Sequence, residues 1–282
     1  MSEVRTRPKI HSVSSAVVSA AAPDAIIAAS RVLASAVPSL TSVPLGLLHH
    51  TPSLIQPAAA LRSQPVNVPT VGNLPPVEAA KATTLLRLAA RPYLVQNPAA
   101  LEPSLEALKQ ARTLAQVSRA ERLVAAALEC EHQVVFVSAL TRACENACRQ
   151  IGFGAVEIVP GKTVRVLATD PNGRTLVTEI EGSAEGEPRM ATEVVGISDG
   201  SCHAILDAFD RALEAQGVRA GSPQRQLTGG VCQLAAAREF VRRKVRKSSP
   251  PLAWQVQPGT EREVRRAQRL NTARRERIQL RG

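Results

Sequence analysis

The stretch Ala191–Val218, ATEVVGISDGSCHAILDAFDRALEAQGV, constrains the fold more than any other, because it specifies a strand, a capped turn and an amphipathic helix in immediate succession. Cys202, Ile205, Leu206, Phe209 and Leu213 recur at intervals of three and four, the spacing of one apolar helix face. Ser198, Asp199 and Ser201 offer side chains that cap free backbone N–H groups, Gly200 eases the turn, and Gly217 before Val218 is a stop signal. Upstream, β-branched Val194, Val195 and Ile197 read as a strand over 191–197 feeding a helix over 201–216.

The same signals predict an α+β domain over 118–247, built on a small, mostly antiparallel sheet. Strands are expected near 155–159, 162–169 and 174–181, the last two joined by Asp170-Pro171-Asn172-Gly173, which matches a four-residue hairpin loop. HQVVFVS at 132–138 reads as a strand at 133–137, followed by a helix over 139–151 that Gly152 ends; the alternative is one helix from 119 to 151. A further helix over 230–247 opens after Gly229-Gly230, carries the stripe Leu234, Ala237, Val241 and Val245, and is ended by Pro250 and Pro251.

On the N-terminal side, Ser118-Arg119-Ala120-Glu121 matches a capping box, and 78–117 reads as accessory helices over 78–91 and 99–117. Ten prolines break up residues 1–77, which read as a disordered Pro/Ala/Ser-rich arm. Within it only Asp24–Val37 has the spacing of a short helix.

With one Trp, one Tyr and four Phe, the core must be Val, Leu, Ile and Ala, and the composition argues against base stacking on aromatic platforms as a mode of nucleic-acid binding. The net charge of +11 is unevenly placed: from Arg238 onwards fourteen Arg and Lys face four Glu, which accounts for +10 of it. Residues 248–282 form a basic, partly helical tail with too little apolar surface to fold alone. Five Cys at scattered spacings, and no apolar signal segment after MSEVRTRPK, fit a reducing, cytoplasmic setting. The run Ala16–Val37 carries Pro23, Asp24 and Arg31, so no membrane association is expected from it, and Glu3 with the many prolines weighs against a transit peptide.

Cys202 and Cys232 each follow a glycine near the start of an expected helix, where the dipole favours a thiolate, and His203 adjoins the first. Cys202 nevertheless lies on the apolar stripe, and adjacent helix residues point about 100° apart, so a core role outweighs a catalytic pair of Cys202 and His203. Cys144 and Cys148, four apart, share a helix face and could join Cys202 and Cys232 around a metal, but the spacing matches no familiar zinc pattern. Glycine-led helix starts at 198–201 and 228–230 could hold a phosphate, without either phosphate-loop motif. Glu179, Glu181, Glu193, Asp207 and Asp210 read as solvated faces. No cofactor is expected.

Arg238, Arg242, Arg243, Lys244, Arg246 and Lys247 gather along the last helix, and Arg265, Arg266, Arg269, Arg274, Arg275 and Arg277 continue in the tail. Such clusters neutralise phosphates without reading sequence; the plainer alternative is a solvated helix and tail.

The order of elements over 132–230, with Leu140–Phe153 stopped at Gly152 and Glu193–Val218 carrying Gly-Ser-Cys, resembles small uncharacterised bacterial and plastid α+β domains sometimes encoded near AAA ATPases. The resemblance implies the fold and carries no activity; it adds an adaptor of an AAA ATPase as one expected role. The reading from the residues is a non-enzymatic accessory or interaction protein that contacts an anionic partner, nucleic acid first and acidic protein second, through the Arg-rich C-terminus. The alternative is a thiol- or metal-dependent enzyme centred on Cys202, His203 and Cys232.

Overall fold

In the computed structural model, which describes residues 3–14, 16–17, 27–35, 54–64, 74–182, 188–197, 200–228 and 231–247, the fold is α+β with antiparallel sheets. The elements run β1 (Glu3–Arg7), β2 (Ile10–Ser14), β3 (Ile27–Ala28), α1 (Ala29–Ser35), β4 (Leu54–Ile55), α2 (Ala58–Arg62), α3 (Pro76–Ala89) and β5 (Leu94–Val95). They continue through α4 (Glu102–Gln110), α5 (Leu114–Gln150), β6 (Ala155–Val159), β7 (Thr163–Thr169), β8 (Thr175–Glu181) and β9 (Arg189–Val195). The last are α6 (Cys202–Ala215), β10 (Arg219–Ala220), β11 (Gln224–Leu227) and α7 (Ala235–Lys247). By compactness the chain divides into two units, Met1–Glu239 and Phe240–Gly282.

The main sheet has six strands in the order β11-β1-β9-β8-β7-β6. Its centre is the expected hairpin: Thr163–Thr169 pairs with Thr175–Glu181 in continuous register, Gly173 takes the left-handed conformation (φ 80°), and Asp170 accepts from the Arg174 backbone N–H at 2.8 Å. Period-2 alternation gives the sheet two faces. Val166, Ala168, Leu176, Ile180, Met190 and Val194 point to one, where they pack with α5 and α6 in a single buried core. Val4, Leu167, Val177 and Glu193 share the other, as their register pairs require.

Three expectations are corrected by α5. Residues 133–137 are helix rather than strand, and the alternative of one long helix holds, beginning at Leu114. A run of β-branched residues favours a strand locally, but helical periodicity on both sides overrides it: Val135 and Phe136 are buried while Val134 is 48 % exposed. The capping box lies one turn earlier than expected, at Thr113 and Gln116, each side chain bonded to the other's backbone N–H at 3.2 Å. Helix 99–117 is accordingly broken after Gln110.

The N-terminal half of α5 serves a second core. Val117, Ala120, Val124 and Leu128 pack with Leu33, Leu61, Leu88, Tyr93, Leu101 and Leu108 from the surrounding helices and connecting segments, while the C-terminal half, from Val135 to Cys148, belongs to the sheet core. By length and composition α5 could cross a membrane. Here its apolar stripe is spent on the two cores.

The disordered reading of residues 1–77 is corrected at several segments. Glu3–Arg7 is a strand inside the main sheet, Ile10–Ser14 is a second strand, and Ala29–Ser35, Leu54–Ile55 and Ala58–Arg62 are ordered elements. Residues 18–26, 36–53 and 65–73 lie outside the described residues, as does the tail from 248 onwards.

His132 joins the two halves of α5 to the segments around it. Its Nδ1 accepts the Leu94 backbone N–H at 3.0 Å and its Nε2–H donates to the Gln56 carbonyl, which fixes the neutral ring. Burial lowers its pKa from the ordinary 6.5, more than the Gln56 bond raises it. The unfolded chain therefore binds the proton first, so this contribution to stability is complete above pH 6.5 and declines as pH falls towards the folded value. A urea midpoint that drops from pH 7.5 to 5.5 in the native protein, and drops less in a His132→Gln protein, is the expected result.

Candidate functional site

The sheet separates Cys232 from the other thiols that the sequence singles out, Cys144, Cys148 and Cys202, which share one core. Cys202 does open α6, but it is 1 % exposed and belongs to the α5–α6 core, with its Sγ 3.8 Å from the Gly200 carbonyl. Cys232 precedes α7 by three residues instead of lying in its first turn, and it neighbours Glu193 on the opposite face. Burial first, then the Glu193 charge, raises the Cys232 thiol pKa, the reverse of the thiolate that a helix start would favour.

Cys144 and Cys148 are wholly buried, Cys144 touching the Met190 Sδ at 3.6 Å. Burial pushes Cys144 well above the ordinary thiol range and Cys148 up to about 12. Among the described residues, no group of three or more His, Cys, Asp or Glu side chains is placed to hold a metal. An open groove beside α4, lined by Val32, Pro98, Glu102, Leu105, Glu106 and Lys109 among others, offers no thiol, imidazole or hydroxyl.

His203 points away from Cys202, as the 100° step requires, and its Nδ1 meets the Glu3 carboxylate. There the structure builds a charged network that sequence reading missed. Glu3, Arg5 and Arg7 alternate along β1 onto the face that α6 covers, while His203, Asp207 and Asp210 recur on α6 at helical spacing. Arg5 reaches Glu3 at 2.8 Å, Asp207 at 2.6 Å and Asp210 at 2.8 Å; Arg7 reaches the second oxygen of Asp210 at 2.8 Å. Arg225 on β11 closes the outer side, 3.4 Å from Asp207.

Glu3 is fully buried and Arg5 is 2 % exposed, so both charges must be paired where they lie. Burial works against the Arg5 cation, but its bonds to Glu3, Asp210 and Asp207 outweigh that and raise its pKa. Asp207 titrates below the usual carboxylate range, chiefly through its bond from Arg5. The reading of Asp210 as a solvated face is corrected; Asp207, 44 % exposed, stays partly in solvent while it pairs with Arg5. The network is balanced in charge and anchors β1 to α6.

Two more carboxylates on the other face also leave the solvated class. Glu193 accepts from the backbone N–H groups of Gln233 (3.0 Å) and Leu234 (2.9 Å), and Glu179 accepts from Ala236 (2.9 Å). These are donors at the start of α7, so carboxylates of the sheet cap that helix; Gly229 and Gly230, part of the expected phosphate-holding turn, lie outside the described residues. Burial raises the Glu193 carboxyl pKa; the N–H bonds from Leu234 and Gln233 and the Arg238 charge oppose it only in part. Arg165 adds an ion pair to Glu239 at 3.0 Å. Ala236 and Ala237 are buried, and Arg238 is exposed.

Of the expected nucleic-acid contacts, Arg242, Arg243 and Lys244 are exposed on α7, with the Lys244 ammonium 4.8 Å from the Phe240 ring centre. Arg246 and Lys247 end the helix; Arg265, Arg266, Arg269, Arg274, Arg275 and Arg277 lie outside the described residues. No protein-family model matches the chain, and comparison with curated proteins and with solved structures returns no match.

Proposed function

We propose that the protein is a non-enzymatic accessory or interaction protein that holds an anionic partner, nucleic acid first, through its basic C-terminal unit. The observation that carries this reading is the charge partition: Phe240–Gly282 holds thirteen Arg and Lys against three Glu, a net +10, whereas Met1–Glu239 nets +1. A near-neutral unit with a strongly basic one attached is suited to retain a polyanion by phosphate neutralisation. With so few aromatic residues, such binding would be indifferent to sequence and would not rest on base stacking.

The enzyme alternative has less support. Cys202 is closed inside a core, Cys232 lies beyond the sheet from it, and His203 is engaged with Glu3.

The test is binding of a duplex DNA and a duplex RNA to the full chain and to a chain ending at Lys247. Strong binding by the full chain and a large loss on truncation are expected. Equal binding by both would remove the tail from the account, and binding by an acidic protein with none by either duplex would replace the partner.

A further inference from the structure

We infer that His132 is a pH-operated latch: a second proton on its ring releases residues 56–64 and 92–97 from the middle of α5 and opens the second core at Tyr93, while the sheet core stays closed. His132 is 1 % exposed, and both ring nitrogens are committed to backbone, Nδ1 to the Leu94 N–H at 3.0 Å and Nε2–H to the Gln56 carbonyl. One buried side chain thus fastens two separate segments to one turn of α5. A second proton must go to Nδ1, where it faces the Leu94 N–H, donor against donor. The charged ring regains water only when the Leu94 segment leaves.

The charged groups around the ring favour the same outcome. On α5, Glu129 accepts from the Tyr93 hydroxyl at 3.4 Å and pairs with Arg62 of α2 at 3.0 Å, and Glu131 accepts the Asn97 N–H at 2.8 Å. From the β5 side, Tyr93 meets the imidazole edge-on with ring centres 5.7 Å apart, and Arg91 donates to the Leu61 carbonyl at 3.1 Å. Once the segments leave, Glu129 remains three residues from the imidazolium on the same helix, so the open form favours the added charge. Burial in the closed form disfavours it, and the Gln56 bond opposes that only in part.

What the latch fastens has little other pairing. β5 has two residues and pairs with the two of β3, and α2 spans five residues. Ala58, Leu61, Tyr93 and Val95 belong to the second core, which shares no buried residue with the sheet core. Such a region opens without the rest of the fold.

Hydrogen exchange of the full chain at pH 7.5, 6.5 and 5.5, resolved by segment and corrected for the intrinsic effect of pH, tests the latch. The opening constant of 56–64 and 92–97 is expected to rise below pH 6.5, by up to about tenfold per pH unit until the ring is protonated in the closed form as well, with no such rise in the hairpin 163–181. His132→Gln keeps a donor and an acceptor without a titrating group and should remove the rise. In a Trp254→Phe chain Tyr93 is the one remaining emitter of its class, and its quenching by acrylamide should increase over the same pH range, a readout that leaves His132 in place. The inference is overturned by an equal rise at 163–181, by no rise at 56–64 and 92–97, or by a rise that persists in His132→Gln.

Discussion

Replacing Arg5 by Ala is expected to cost about 3–5 kcal/mol of stability, because it strands charges that are already out of water. Glu3 is wholly buried and, among the described residues, keeps the His203 ring and Arg225 at 3.9 Å, while Asp210 keeps Arg7. The guanidinium fork reaches three carboxylates at once, a geometry that an ammonium cannot copy. Arg5→Lys should thus recover only part of the loss. Urea unfolding followed by far-UV circular dichroism measures both. A change below about 1 kcal/mol for Arg5→Ala would place β1 outside the sheet and contradict the network, since that is the range of exposed ion pairs.

The second large effect is expected at Gly217, which ends α6. Its φ of +77° is a conformation that a side chain strains, and an added Cβ would stand 2.6 Å from the Ser14 Cβ on β2. Gly217→Ala should cost about 2–4 kcal/mol, combining left-handed strain with the clash. Gly173, in the β7–β8 loop, separates the two causes: its φ is +80°, yet nothing lies within 4 Å of an added Cβ. Gly173→Ala should therefore cost about 1 kcal/mol, the strain alone. Equal losses at the two sites, read from denaturation midpoints, would mean that β2 does not pack against the end of α6.

Elements whose signals are local were legible in the sequence. The α6 stripe of Cys202, Leu206, Phe209 and Leu213 is buried as its spacing requires, Gly217 ends the helix, and Asp170–Gly173 makes the hairpin. Of the expected α6 caps, Ser201 makes no side-chain cap bond, while Ser198 and Asp199 lie outside the described residues.

The segment Glu3–Arg7 was not legible, because its alternation is in charge, and charges at every second position look solvated until partners far along the chain are known. The same blindness hid Glu179 and Glu193, whose task as caps exists only once α7 lies on the sheet. At 133–137 the error had the opposite origin: local β-propensity was clear and the surrounding helical period prevailed. The thiols could be ranked by stripe position alone, and the separation of Cys202 from Cys232 by the sheet required the register.

The salt dependence of duplex binding by the full chain tests the functional account most directly. If the basic unit works by neutralising phosphates, and six to ten of its cations make contacts, affinity should fall about 10³–10⁵-fold between 50 and 200 mM salt, with similar values for different sequences. Binding that is absent at 50 mM salt, or that hardly changes across this range, would contradict it.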